Sequence, residues 1–153
     1  EELINLFDMI IESGGSEPGF INGQTAKQRA PWFNGVNPCG EILLPNKGFC
    51  NLVELDVGKF KGDTAYLHKV AVLLARANYR QTVVDLRDGI LQEAWHLNNE
   101  FLRLCGVGST GIAKRDDMTE YEWKNLNKSA NYGARTMAKE LGLQYPKNVT
   151  TVN

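Results

Sequence analysis

The chain has 153 residues, 42% of them hydrophobic, enough to furnish one domain core. Its 17 basic and 18 acidic residues leave a net charge of −1 with no basic face, so charge gives no reason to expect a nucleic-acid polymer as partner. No apolar run reaches the ~18 residues of a membrane span, and the cysteines lack the regular spacing of a disulfide framework, which favours a reducing, cytoplasmic setting.

In chain order, residues 1 to 12 predict a helix stopped by Ser13-Gly14-Gly15. Leu3, Ile4, Leu6, Phe7, Met9, Ile10 and Ile11 make it apolar on nearly every side, the pattern of a helix buried within a larger protein. The start lacks both a basic n-region and an initiator methionine, and Asn148 to Asn153 reads as a β-branched strand cut short. Together the two ends predict that residues 1–153 are an internal segment of a much larger protein.

A loop with Pro18 and Gly19 leads to a polar stretch near 22 to 30. Pro31 to Gly48 reads as a loop, punctuated by Pro38, Gly40 and Pro45. Phe49 to Leu55 predicts a strand with Val53 and Leu55 on one face. Asp63-Thr64 caps a helix from about Ala65 to Tyr79, with Leu67, Val70, Ala71 and Leu74 at helical spacing. A second helix near Ile90 to Leu102 places Leu91, Ala94, Trp95, Asn98 and Leu102 on one stripe. Leu104 to Val107 predicts a short buried strand in which Cys105 packs. Thr119 starts the last long helix, which runs to about Leu141 and stops at Gly142. Strands alternating with helices predict an α/β class with parallel pairing.

Chemistry concentrates in Asn37-Pro38-Cys39-Gly40-Glu41-Ile42 and in Cys50, eleven residues after the first thiol. Asn37 can exchange hydrogen bonds with a hydroxyl and Glu41 can take a proton. Cys39 can lose a hydrogen atom, and Cys50 can give up electrons by ending in a disulfide. Together these are the parts for thiol-based radical chemistry on a sugar, carried on a finger-like loop. Each residue also has a plainer reading: Cys39 as a small buried hydrophobe, Cys50 as a core thiol, Glu41 as a solvated charge, Asn37 as a turn former.

Other features point less far. Gly106-Val107-Gly108-Ser109-Thr110-Gly111 fits G-x-G-x-x-G, but no acid stands about 20 residues on, where Leu126 is found. His68 and His96 form no zinc spacing with the cysteines and read as surface or capping residues, so no metal site is expected. Trp32, Trp95 and Trp123 read as core or rim aromatics.

NPCGEI followed by GFCNLVEL resembles the active-site finger loop and next strand of the ribonucleotide reductases. The short interval between the thiols is most similar to the adenosylcobalamin-dependent class, in particular the monomeric enzymes that reduce ribonucleoside triphosphates. The likeness extends to Ser16-Glu17-Pro18-Gly19-Phe20-Ile21-Asn22, to Ala75-Arg76-Ala77-Asn78-Tyr79-Arg80-Gln81, and to Gly106-Val107-Gly108 with Thr110-Gly111-Ile112.

The resemblance implies part of a ten-stranded α/β barrel with a finger loop, about 31 to 48, threaded through its middle. It implies adenosylcobalamin as cofactor, a ribonucleoside triphosphate as substrate, thioredoxin or a similar dithiol as reductant, and a deoxynucleotide effector in the full-length enzyme. Cys39 would be the thiyl radical, Glu41 the base at the 3′ hydroxyl, Asn37 the hydrogen-bonding partner of the sugar, and Cys50 half of a redox pair whose other half lies outside this chain. Two rival readings stay open: a non-catalytic thiol–disulfide switch between Cys39 and Cys50, and a reductase of the same superfamily with a different radical generator.

Overall fold

The computed structural model describes residues 2–150, which divide into two units that part between Phe33 and Asn34. The first holds helices α1 (Glu2–Ser13) and α2 (Gly23–Arg29). α1 lies where its periodicity predicts, yet it contains no buried residue, and Leu3, Ile4, Met9 and Ile11 are exposed. The burial that its apolar girth predicts is therefore not reached among the described residues. Phe7 stacks on Phe20 with ring centroids 5.3 Å apart. α2 replaces the expected polar stretch. Its sequence signal is the cap: the Asn22 side chain accepts from the backbone N–H of Thr25 at 3.0 Å, while Ala26 is its one buried residue.

The second unit opens with two short strands, β1 (Gly35–Val36) and β2 (Leu43–Leu44), paired antiparallel. Then come β3 (Leu52–Asp56), α3 (Thr64–Gln81), α4 (Glu93–Leu102), β4 (Cys105–Thr110), α5 (Glu120–Glu140) and β5 (Val149–Thr150). The expected parallel pairing is present: β3, β4 and β5 form a parallel sheet in that order, with Val53 opposite Val107 and Cys105 opposite Val149. Residues 151–153, the rest of the expected last strand, lie outside the described residues.

Local chemistry sets the helix ends. Asp63 caps α3 by accepting from the Tyr66 N–H at 3.0 Å. Thr119 and Glu122 form a capping box at the start of α5, and Gly142 stands beyond its end at φ +66°. α3 buries Leu67, Ala71, Ala75, Asn78 and Tyr79, and α5 buries Leu126, Ala130, Gly133, Ala134, Met137 and Ala138. These small residues bring the helices close: a Cβ on Gly133 would stand 2.3 Å from the Val72 carbonyl oxygen. Arg76 donates two hydrogen bonds to Glu140 across the outer edge, at 2.7 and 2.6 Å, which holds the Glu140 carboxyl below its ordinary range.

Ala75, Tyr79, Ala134 and Met137 pack on Cys105, Val107, Val149 and Val53, so both helices cover the same face of the sheet. The thiol of Cys105, deep in that core, is pushed by burial up to about 12, as suits a packing residue.

Three expectations need correction. β4 runs on to Thr110, past the expected end at Val107, so the G-x-G-x-x-G segment is mostly strand; the single 3-10 turn that follows over Ile112–Lys114 agrees with the weak case that the sequence makes for a dinucleotide-binding fingerprint. Of the stripe expected on α4 only Leu102 is buried; Ala94, Trp95 and Asn98 are half-buried, Leu91 lies before the helix, and His96 and Asn99 complete the buried face. It faces a polar seam, where Asn99 donates to the Thr82 carbonyl at 2.8 Å and Arg103 donates to the same oxygen. His96, expected at the surface or in a cap, is buried, and its Nδ1 accepts from the Leu86 N–H at 3.3 Å. Among the described residues no helix is long and apolar enough to cross a membrane.

Candidate active site

The loop expected over Pro31–Gly48 has a paired base and a tight tip. Gly35 faces Leu44 and Val36 faces Leu43, and the Asn34 N–H donates to the Leu44 carbonyl at 2.8 Å. Between the strands lie six residues, Asn37 to Ile42. The Gly40 N–H donates to the Asn37 carbonyl at 2.9 Å, closing a β-turn with Asn first, Pro second, Cys39 third and Gly last. Each of these types suits its place: Pro presets φ, and Gly40 takes φ +80° without a Cβ clash. The Ile42 N–H donates to Asn37 Oδ1 at 3.0 Å, so backbone and side chain of one residue fold the whole tip. Cys39 is left at its apex, exposed.

The return of the loop is held from α4. Asn98 donates to the Asn46 carbonyl at 2.8 Å, and Trp95 packs against Phe49 with centroids 5.1 Å apart. Cys50 then stands just before β3, exposed and not in the core. The Asn37 amide donates to its sulfur at 4.0 Å. Partial burial, the nearby Glu41 carboxylate and the Cys39 thiol all raise the Cys50 pKa above the ordinary thiol value. Cys50 therefore holds its proton at neutral pH.

Cys39 and Glu41 open onto a cleft of about 210 Å³ whose other walls are Leu52, Glu54, Gly106, Gly108 and Thr150. The tip thus lies along the sheet face opposite the helices. Period two explains the floor: Val53 packs toward the helices, so Leu52 and Glu54 face the cleft. The glycines of β4 make room for them. A Cβ on Gly106 would meet Leu52 Cδ2 at 2.3 Å, and one on Gly108 would meet Glu54 Oε1 at 2.2 Å. One carboxylate oxygen of Glu41, Oε2, is buried without a hydrogen-bond partner. An acceptor left so is costly unless a donor arrives.

All four residues singled out from the sequence therefore belong to one loop and its return. Cys39 and Glu41 line the cleft, while Cys50 is not among its lining residues and meets the loop at the Asn37 amide. Asn37 is buried, with its amide engaged by Ile42 and Cys50, so in this state it organises the tip and does not line the cleft. Leu52, Glu54, Gly106, Gly108 and Thr150 are the cleft residues to which motif reasoning gave no role. The signal for Glu54 was the alternation of the strand, since a face shared by Val53 and Leu55 leaves Glu54 on the other. Among the described residues no group of three or more His, Cys, Asp or Glu side chains is placed to hold a metal ion. Compared with known proteins, the chain matches no family model, no curated protein and no solved structure.

Proposed function

We propose that this chain is the catalytic finger and adjoining sheet of an adenosylcobalamin-dependent ribonucleotide reductase, acting on ribonucleoside triphosphates in the cytoplasm. The observation that carries this reading is the cleft itself: an exposed thiol at a turn apex shares it with a carboxylate whose buried oxygen lacks a donor. The sheet supports the barrel expectation, because consecutive parallel strands with one connecting helix of each crossover, α3 and α5, on the same face are what one sector of a closed α/β barrel requires.

The cofactor test turns on the thiol. Adenosylcobalamin, when bound, supplies a carbon radical able to take a hydrogen atom from sulfur. The exposed tip residues Pro38, Cys39 and Gly40 fit the receiving side and would be the part of this chain that meets it. Cys39, once a thiyl, takes the 3′ hydrogen atom of the ribose. Glu41, on the wall of the cleft, takes the proton of the 3′ hydroxyl. The 2′ hydroxyl leaves as water with one proton from the dithiol, the other dithiol hydrogen goes to C2′, and Glu41 returns its proton to the 3′ oxygen. Cys50 and a second thiol outside this chain supply two electrons and close a disulfide, which thioredoxin or a similar dithiol reopens, and Cys39 returns its hydrogen to C3′. The raised pKa of Cys50 suits this work, since it keeps the proton that departing water needs. Cys105 is no partner for it, being packed among Ala75, Tyr79 and Met137 on the other face of the sheet. Placement is what the fold contributes, and well-oriented groups gain about 7–11 kcal/mol in favourable cases.

In the protein carrying this chain, adenosylcobalamin, a dithiol and a ribonucleoside triphosphate should together yield deoxynucleotide with no second radical subunit. Activity only after addition of an iron or manganese partner subunit would move the protein to the neighbouring class and leave the roles of Cys39 and Glu41 intact. A second reading, a thiol–disulfide switch, draws on the influence of Cys39 on Cys50, which requires the two thiols to be near each other. A mild oxidant that bridged them reversibly, in a protein without reductase activity, would favour it.

A further inference from the structure

The cleft has a second carboxylate that the mechanism does not use. Glu54 projects from β3 into the space left by Gly108, facing the same cavity as Cys39 and Glu41. Among the described residues no cationic side chain forms an ion pair with Glu41 or Glu54. Two uncompensated carboxylates in a cavity of about 210 Å³ repel a phosphate. They welcome neutral donors, because carboxylate oxygens accept hydrogen bonds and a sugar hydroxyl can donate one.

We infer that Glu54 is a positioning and specificity residue of this cleft: it accepts hydrogen bonds from sugar hydroxyls and, with Glu41, excludes phosphate, so that only the sugar portion of a nucleotide reaches Cys39. The assignment deepens the reductase reading and rests on it for the identity of the sugar, but the acceptor role rests on the cleft alone. Glu54 is exposed at the floor, so it meets the ligand from the sheet side while Glu41 meets it from the loop. The geometry also gives a means of product release. A deoxyribose has one hydroxyl fewer to donate, so the product is held less tightly than the substrate.

The test is Glu54→Gln in the intact protein, read by two independent assays. In turnover, KM for the ribonucleoside triphosphate should rise about tenfold, the worth of one hydrogen bond to a charged group, and by more than kcat falls. The preference for ribonucleotide over deoxynucleotide, measured from inhibition by the product, should shrink together with it. Separately, the parent protein's Cys39 should be shielded from a thiol alkylating agent better by ribonucleoside than by 2′-deoxyribonucleoside, and Glu54→Gln should erase that difference. Gly108→Ala, whose Cβ must displace the Glu54 carboxylate, should reproduce both effects, with thermal unfolding as the control on the strand. Unchanged KM and unchanged shielding in Glu54→Gln would overturn the assignment. If the parent protein reduces no ribonucleotide, the reductase reading fails, yet shielding that discriminates the two sugars and depends on Glu54 would still support the acceptor role. Equal shielding by the two nucleosides would refute it.

Discussion

Asn37 shows how much one side chain settles at the tip of the loop. Its carbonyl closes the turn under Gly40, its Oδ1 takes the Ile42 N–H, and its amide reaches the Cys50 sulfur. The sequence marks Asn37 as important without showing why, because an Asn before Pro reads equally as a turn former or a ligand contact. Glu41 has a similar double role, as a wall of the cleft and as a charge beside Cys50. The second role is testable. A carboxylate near a thiol disfavours the thiolate, so neutralising the carboxylate brings the thiol pKa down. Glu41→Gln should therefore lower the pKa of Cys50 toward the ordinary thiol value and speed its alkylation at mildly alkaline pH. The pH dependence of alkylation, followed by mass spectrometry of the peptide containing Cys50, measures this directly. An unshifted profile would mean that burial and the Cys39 thiol set that pKa without Glu41.

At the level of elements, the long helices were legible because cap chemistry and periodicity agree. Asp63 and Thr119 accept the N–H groups of Tyr66 and Glu122, and Leu67, Ala71 and Ala75 recur every four residues on the buried stripe. α2 was not legible, since only Ala26 in it is buried and no period emerges from one residue. Leu102 on the buried face of α4 was legible, whereas His96 and Asn99 were missed for a related reason: they are polar groups whose burial becomes affordable only once Leu86 and Thr82 supply partners from elsewhere. The seam between α3 and α5 yields a prediction of its own. Gly133 faces the Val72 carbonyl too closely for any side chain, so Gly133→Ala must push the helices apart despite Ala being the better helix former. The expected outcome is a loss of about 1–3 kcal/mol, the usual scale of overpacking, measured by denaturant unfolding. Increased stability would mean that the helices separate without cost.

Across the whole molecule, the division of labour follows the two faces of one small sheet. One face is closed by α3 and α5 and supplies the core; the other is left to the finger tip and the cleft. Parallel pairing was legible from the alternation of strands and helices, whereas the length of β4 was not, because a glycine-rich strand gives no apolar signal. Those same glycines make the cleft, so the stretch hardest to read as a strand is also part of the candidate site. The reductase reading of this face depends on Cys39 acting as a hydrogen-atom carrier, and Cys39→Ser in the intact protein tests that most directly. Serine fits the turn but yields a radical far less readily, so deoxynucleotide formation should vanish while ribonucleotide binding stays near the parent value. Appreciable reduction by the serine variant, with adenosylcobalamin and dithiol present, would contradict the account.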